Sequence, residues 1–206
     1  TDVDLPDFGS VLTVNDNIPI KIDCEGIQYN LQSSDGRSIS VANNEIQFAE
    51  RGTKGVRGLI SGTIECYQGT PFDIQHEFEV LGNIPIETTY KSKIPVIDSS
   101  QIRVPVEFIG EDSQTWLVGI DGPLSRVAET SVSQELNKGS EIIVDITPSG
   151  LLEEGMIVRG EIVLASNSGH NYHIEVELVA QNEDESTLKE WTSPAKLIPV
   201  ALVCLL

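Results

Sequence analysis

The side chains with the most obvious capacity for chemistry are three histidines, His76, His170 and His173. His170 and His173 are three residues apart, and Glu175 follows at a spacing that puts it on the strand face of His173. A His/His/Glu metal set can be drawn from them, but neither an HExxH nor a CxxC spacing supports it. At a period of two, His173, Glu175 and Glu177 point away from Ile174, Val176 and Leu178, so they read as a solvated sheet face. Hard oxygen donors for calcium occur at Asp2, Asp4 and Asp7, at Asn15-Asp16-Asn17 and at Asp121-Gly122, without a twelve-residue D-x-D-x-D-G loop. Serines are plentiful, yet no G-x-S-x-G elbow is present. The run Glu50-Arg-Gly-Thr-Lys-Gly-Val-Arg-Gly58 is glycine-rich and basic but has neither P-loop order nor a following helix, so it reads as an interstrand loop. The expectation is a chain with no catalytic, cofactor-binding or metal residues.

Elements able to position such groups are short and alternating. Ile18 to Cys24, Ile39 to Val41, Ile46 to Phe48, Leu59 to Cys66 and Ile74 to Val80 alternate apolar with other residues in the first half. Ile102 to Phe108, Trp116 to Ile120, Val127 to Val132, Ile142 to Ile146, Ile157 to Ala165 and Tyr172 to Val179 do so in the second. The best helical candidate, Ser131 to Asn137, is too short to stand alone. Pro19 and Pro105 lack a backbone donor and belong on edge strands or on the non-bonded side of their strands.

Sliding the sequence on itself gives a recurrent offset of 98. Gly62 to Val80 overlies Gly160 to Leu178, Ile46-Gln-Phe48 overlies Val144-Asp-Ile146, Gly52 overlies Gly150, and Ile18, Ile20, Ile22 and Asp23 overlie Trp116, Val118, Ile120 and Asp121. The alternation is in phase at all three strand matches, and a one-residue slip would invert each strand. Two copies of one unit follow, each with about seven short strands, as in an antiparallel sandwich. The fold class expected is all-β, tandem immunoglobulin-like antiparallel β-sandwiches. The domains expected are 1–88, 89–182, and an acidic linker with an apolar terminal strand at 183–206. In the last of these, Leu197-Ile-Pro-Val200 repeats Lys93-Ile-Pro-Val96, which makes it the possible start of a third unit. Asn83 to Asp98 is taken as the connector. Trp116 is expected to fill core, and Trp191 to lie near the terminal strand.

The second half resembles the bacterial immunoglobulin-like modules of the BACON type. The resemblance rests on Trp116-Leu-Val-Gly-Ile120, Ile142 to Leu151, Gly155 to Gly169 and Ile174-Glu-Val-Glu-Leu178, with a fainter echo over 12–81. Val158 and Leu59 stand where that family usually has Tyr, and Gln68-Gly69-Thr70 stands where Ser-Asn-Gly recurs. The resemblance implies a repeated accessory domain of a multidomain protein, suspected of binding glycan or mucin, with no catalytic residues to carry over.

Charge narrows the partners. The 206 residues hold 32 acids against 13 Lys and Arg, a net charge of -19, with 15 acids to 7 bases before residue 99 and 17 to 6 after it. Such a surface opposes nucleic acid, whose counterions must be displaced by basic side chains, and anionic membranes. The run Leu197 to Leu206 is too short to span a bilayer as a helix, so no membrane insertion is expected. The function expected is a non-catalytic interaction or spacer module with a protein or glycan partner; the alternative is a hydrolytic site at the junction between the units. Cys24 and Cys66 both fall on inward faces. Either a bridge or free thiols would suit them, and free thiols are preferred because unit two has no paired cysteines and Cys204 is left over. A cytoplasmic location is accordingly favoured slightly over an extracellular one.

Overall fold

The computed structural model describes residues 3–5, 10–22, 26–67, 69–148, 150–167 and 169–182. In the first half the strands are β1 Val3–Asp4, β2 Ser10–Thr13, β3 Ile18–Pro19, β4 Lys21–Ile22, β5 Ile27–Ser33, β6 Ile39–Ala42, β7 Glu45–Phe48, β8 Arg57–Cys66 and β9 Phe72–Leu81. The second half has β10 Ile84–Pro85, β11 Thr88–Pro95, β12 Ser100–Pro105, β13 Phe108–Ile109, β14 Gln114–Asp121, β15 Ala128–Thr130, β16 Ser133–Leu136, β17 Glu141–Ile146, β18 Ile157–Ala165 and β19 Asn171–Gln181. Among the described residues a single 3-10 turn, Gly122–Arg126, lies in the second half.

These strands make two sandwiches in tandem. The first sets the sheet β2-β9-β8-β5 against β3-β7-β6; the second sets β11-β19-β18-β14-β16 against β12-β17-β15. Each encloses its own core. Ile18, Ile46, Ile60, Ile64 and Ile74 are buried in the first; Trp116, Leu124, Ile142, Ile162 and Leu178 are buried in the second. In both, the opening chain serves one sheet and then crosses to the other, as β2 then β3 and as β11 then β12. The sheets are not wholly antiparallel: β2 runs parallel to β9 and β11 parallel to β19. The prolines lie where a missing donor is harmless, since β3 and β12 are both edge strands.

Several expectations are corrected by pairing. Ser131 to Asn137 is not helical: Ser133–Leu136 pairs antiparallel with Gln114–Leu117. Much of the connector Asn83 to Asp98 is strand, because Thr88–Pro95 joins the second sandwich beside Ile174–Gln181. Ser10–Thr13 and Ile27–Ser33 are strands that the alternation reading passed over.

The repeat is real, but its offset in the closing strands is 100. Gly55 N–H donates to Val80 O and Gly155 N–H to Ala180 O; Val80 N–H donates to Val56 O and Ala180 N–H to Met156 O; Gly69 N–H donates to Cys66 O and Gly169 N–H to Ser166 O. Gly55 and Gly155 also share the left-handed conformation, with φ of 81° and 80°, which a side chain would strain. Pairing then makes Ile27 the equivalent of Trp116. Tyr29 lies opposite Ile64 as Val118 lies opposite Leu164, and Ile27 and Trp116 each precede these by two residues. Ile18, matched to Trp116 by offset 98, instead sits opposite Ile46 in the other sheet. Shifts of 98 and 100 are both even, so side-chain faces agree under either and alternation cannot separate them.

Cys66 is disulfide-bonded, which overturns the preference for a free thiol there. Cys24 and Cys204 lie outside the described residues, as do Asp2, Asp7, Trp191 and the whole segment 183–206.

Candidate functional site: the junction between the sandwiches

Strand β9 ends by delivering Leu81, Gly82 and Asn83 into the top of the second sandwich. Leu81, the last residue of that strand, is 1% exposed and belongs to the second core. Gly82 is required by close approach, because a Cβ there would stand 2.5 Å from Ser113 O. Its N–H donates to Gln114 Oε1 at 3.1 Å.

Asn83 is fully buried, and its amide is used at both ends. Nδ2 donates to Asp112 O and Leu136 O, each at 2.8 Å, while Oδ1 accepts from the indole Nε1–H of Trp116 at 2.9 Å. A buried amide so satisfied fixes the chain that carries it, since any displacement leaves several groups unpaired. Trp116 fills core, as its alternation implies, and its one polar atom is what meets the incoming strand.

The loop between β7 and β8 closes the periphery. Arg51 Nη2 donates to both carboxylate oxygens of Asp112 at 2.7 and 2.8 Å, and Lys54 Nζ donates to Ser113 O at 2.9 Å. This is the glycine-rich basic run of the sequence reading, and it is an interstrand loop. Its cations serve the neighbouring sandwich. On the far side, His170 Nε2 lies 3.2 Å from Glu79 Oε2. Glu79 also lies 3.9 Å from Arg57 Nε. Tyr172 meets Trp116 edge-on with ring centroids 5.5 Å apart. Burial first, and then the charges of Glu79 and Glu87, push its hydroxyl above the ordinary tyrosine value.

The sequence-nominated donors do not converge. His170 faces Glu79 across the junction, His173 Nδ1 lies 2.8 Å from Glu161 Oε2, and Glu175 accepts from Thr89 Oγ1 at 3.1 Å. Asp16 Oδ2 accepts from Thr13 N at 2.7 Å, shaping its own turn, while Asn17 Oδ1 accepts from Phe48 N at 3.3 Å and ties that turn to β7. Asp121 caps the 3-10 turn by accepting from Gly122 N–H. Among the described residues no group of three His, Cys, Asp or Glu is placed to share a metal ion.

Among the described residues, two grooves each lie on one sandwich. One of about 460 Å³ runs over the second, past Lys91, Asp121, Arg159, Glu161, Glu175 and Glu177. Glu177 takes both of its cations, Arg159 at 2.9 Å and Lys91 at 3.4 Å, and these hydrogen bonds, Arg159's first, hold its carboxyl below the usual range. The other, about 500 Å³, lies by Ser10, Asn15, Asp16, Asn17 and Glu45 of the first.

Asn83, Arg51 and Lys54 carry this junction, and the sequence reading assigned them no role. The available signal was weak: two bases in a loop of a strongly acidic chain, and an Asn just after the last strand of a repeat.

No family model matches the chain, and no curated protein does. The BACON-type resemblance therefore remains one of pattern. Among solved structures, human mucin-like protocadherin EC1-2 aligns with 88% of this chain and 98% of its own, at 12% identity and a TM-score of 0.34. The fibronectin(III)-like modules of Clostridium thermocellum CbhA align with 88% of this chain and 95% of theirs, at 10% identity and a TM-score of 0.33. Sidekick-1 immunoglobulin domains 1–4 align with 88% of this chain and 48% of theirs, at 8% identity and a TM-score of 0.30. No described helix is long and apolar enough to cross a membrane.

Proposed function

We propose that the chain is a non-catalytic tandem module that holds two β-sandwiches in fixed relation and presents their faces to a protein partner. Its units divide at about residues 88 and 182. The observation that carries this reading is Asn83: a fully buried amide bonded to Asp112, Trp116 and Leu136 at the crossing between sandwiches. A flexible tether has no use for such a clamp, and a catalytic cleft would leave space where these bonds lie. The disulfide at Cys66 supports an oxidising compartment, where such bonds persist. The net charge of -19 favours a partner with a basic face.

Backbone nitrogen relaxation of the whole chain tests the reading. A single rotational correlation time shared by both sandwiches is expected, and Asn83→Ala should split it into two shorter ones while each sandwich keeps its fold. Independent tumbling in the unaltered protein would overturn the proposal.

A further inference from the structure

Strand β5, Ile27–Ser33, is the terminal strand of its sheet: β8 pairs with one side, and among the described residues no strand pairs with the other. Natural edges are protected by charge, proline, bulges or cover. The sequence of this one, Ile-Gln-Tyr-Asn-Leu-Gln-Ser, has no charged residue and no proline, in a chain of net charge -19. Its pairing with β8 is continuous over seven residues, without a bulge. Ile27 and Tyr29 share the inner face with Cys66 and Ile64, yet are 38% and 43% exposed. In the second sandwich the equivalent edge is occupied. There β16 pairs antiparallel with the start of β14, and Trp116 and Val118, equivalents of Ile27 and Tyr29, are buried.

We propose that the free edge of β5 pairs antiparallel with the same edge of a second copy of this chain, making one continuous sheet across a two-fold axis. The strand is self-complementary about Asn30. In that register Asn30 faces Asn30, Gln28 faces Gln32, Tyr29 faces Leu31, and Ile27 faces Ser33. Directly opposed side chains on such a pair interact, amide with amide and aromatic with aliphatic. A two-fold contact requires that one patch match itself, and an uncharged strand is what two strongly acidic copies can bring together. An edge pairing of seven residues buries little area, so the association is weak and reversible. It is separate from the rigid-junction reading: either can fail while the other stands.

Sedimentation equilibrium of the whole chain over a concentration series tests it. Self-association is expected, and it should strengthen from about 0.15 M to about 1 M salt as repulsion between the two acidic copies is screened. Asn30→Lys and Asn30→Glu, at an exposed position, should each abolish it by opposing like charges at the axis. An equal mixture of the two should restore it, which a misfolded variant could not do. Ser133→Lys, on the edge strand of the second sandwich, should leave it unchanged. A chain that stays monomeric throughout, an association that Asn30→Lys leaves intact, or one that Ser133→Lys abolishes, would each overturn the proposal.

Discussion

At equivalent places in the two sandwiches, Ile27 is 38% exposed and Trp116 is buried completely. The surroundings make the difference. Trp116 is covered by β16 along the sheet edge and by Asn83 arriving from the first sandwich, whereas among the described residues no strand or buried amide covers Ile27 in that way. The first sandwich also carries polar groups in its interior. Arg37 and Asp35 form an ion pair at 2.6 Å with side chains 7% and 6% exposed, and the guanidinium lies 3.6 Å from the Phe48 ring centroid. His76, at the place of Val176, is 5% exposed and bonds Ser10 Oγ at 2.8 Å. One topology thus tolerates two interiors: the second buries neutral amides such as Asn83 and Gln114, while the first buries charge and depends on every partner staying in place.

The sharpest way to break this comparison is to truncate the equivalent pair. Trp116→Ala should destabilise the second sandwich by about 3–5 kcal/mol. Ile27→Ala should change the first by about 1 kcal/mol or less, because its methyl groups are already partly in water. Denaturant unfolding, followed by a probe in each sandwich, would read both values, and equal losses would dissolve the distinction.

Asp35→Ala comes next. It leaves Arg37 buried without its counter-ion, at a cost of about 3 kcal/mol confined to the first sandwich. Burial alone would raise the Asp35 carboxyl, but hydrogen bonds from Ser33 and Arg37 outweigh it and hold the group below the ordinary value. Its contribution is therefore present at neutral pH and disappears as pH falls through that lowered value. A thermal midpoint unchanged at pH 7 would contradict this account.

A smaller effect separates His76 from Val176. Burial lowers the imidazole below its ordinary value of about 6.5. The folded state holds it neutral, so its stability is complete above that value and declines as pH falls below it toward the lowered folded-state value. The first sandwich should lose stability on acidification over this window, and His76→Val should abolish that part of the loss. Melting curves between about pH 7 and pH 5, recorded with a probe in each sandwich, would show whether the sensitivity is confined to the first.

The smallest effect belongs to the junction rim. Arg51 is more than half exposed in its pair with Asp112, so Arg51→Ala should change stability by about 1 kcal/mol or less. A larger loss would mean that the rim, rather than Asn83, fastens the sandwiches.

Alternation by itself determined the strand class, the inward faces of Ile64, Trp116, Val144 and Ile174, and the placing of Pro19 and Pro105 at edges, because those properties are local to each strand. It also revealed a repeat. Only the tertiary structure decided that the closing strands repeat at 100, that Ile27 is the counterpart of Trp116, and that Ser133–Leu136 is a strand. Register depends on which strand lies alongside, and a shift of two residues leaves every face unchanged. The roles of Asn83 and Arg51 were hidden for a related reason. Asn83 lies 33 residues from Trp116 and Arg51 lies 61 from Asp112 in the chain, so their meaning arises only when one sandwich is set on the other.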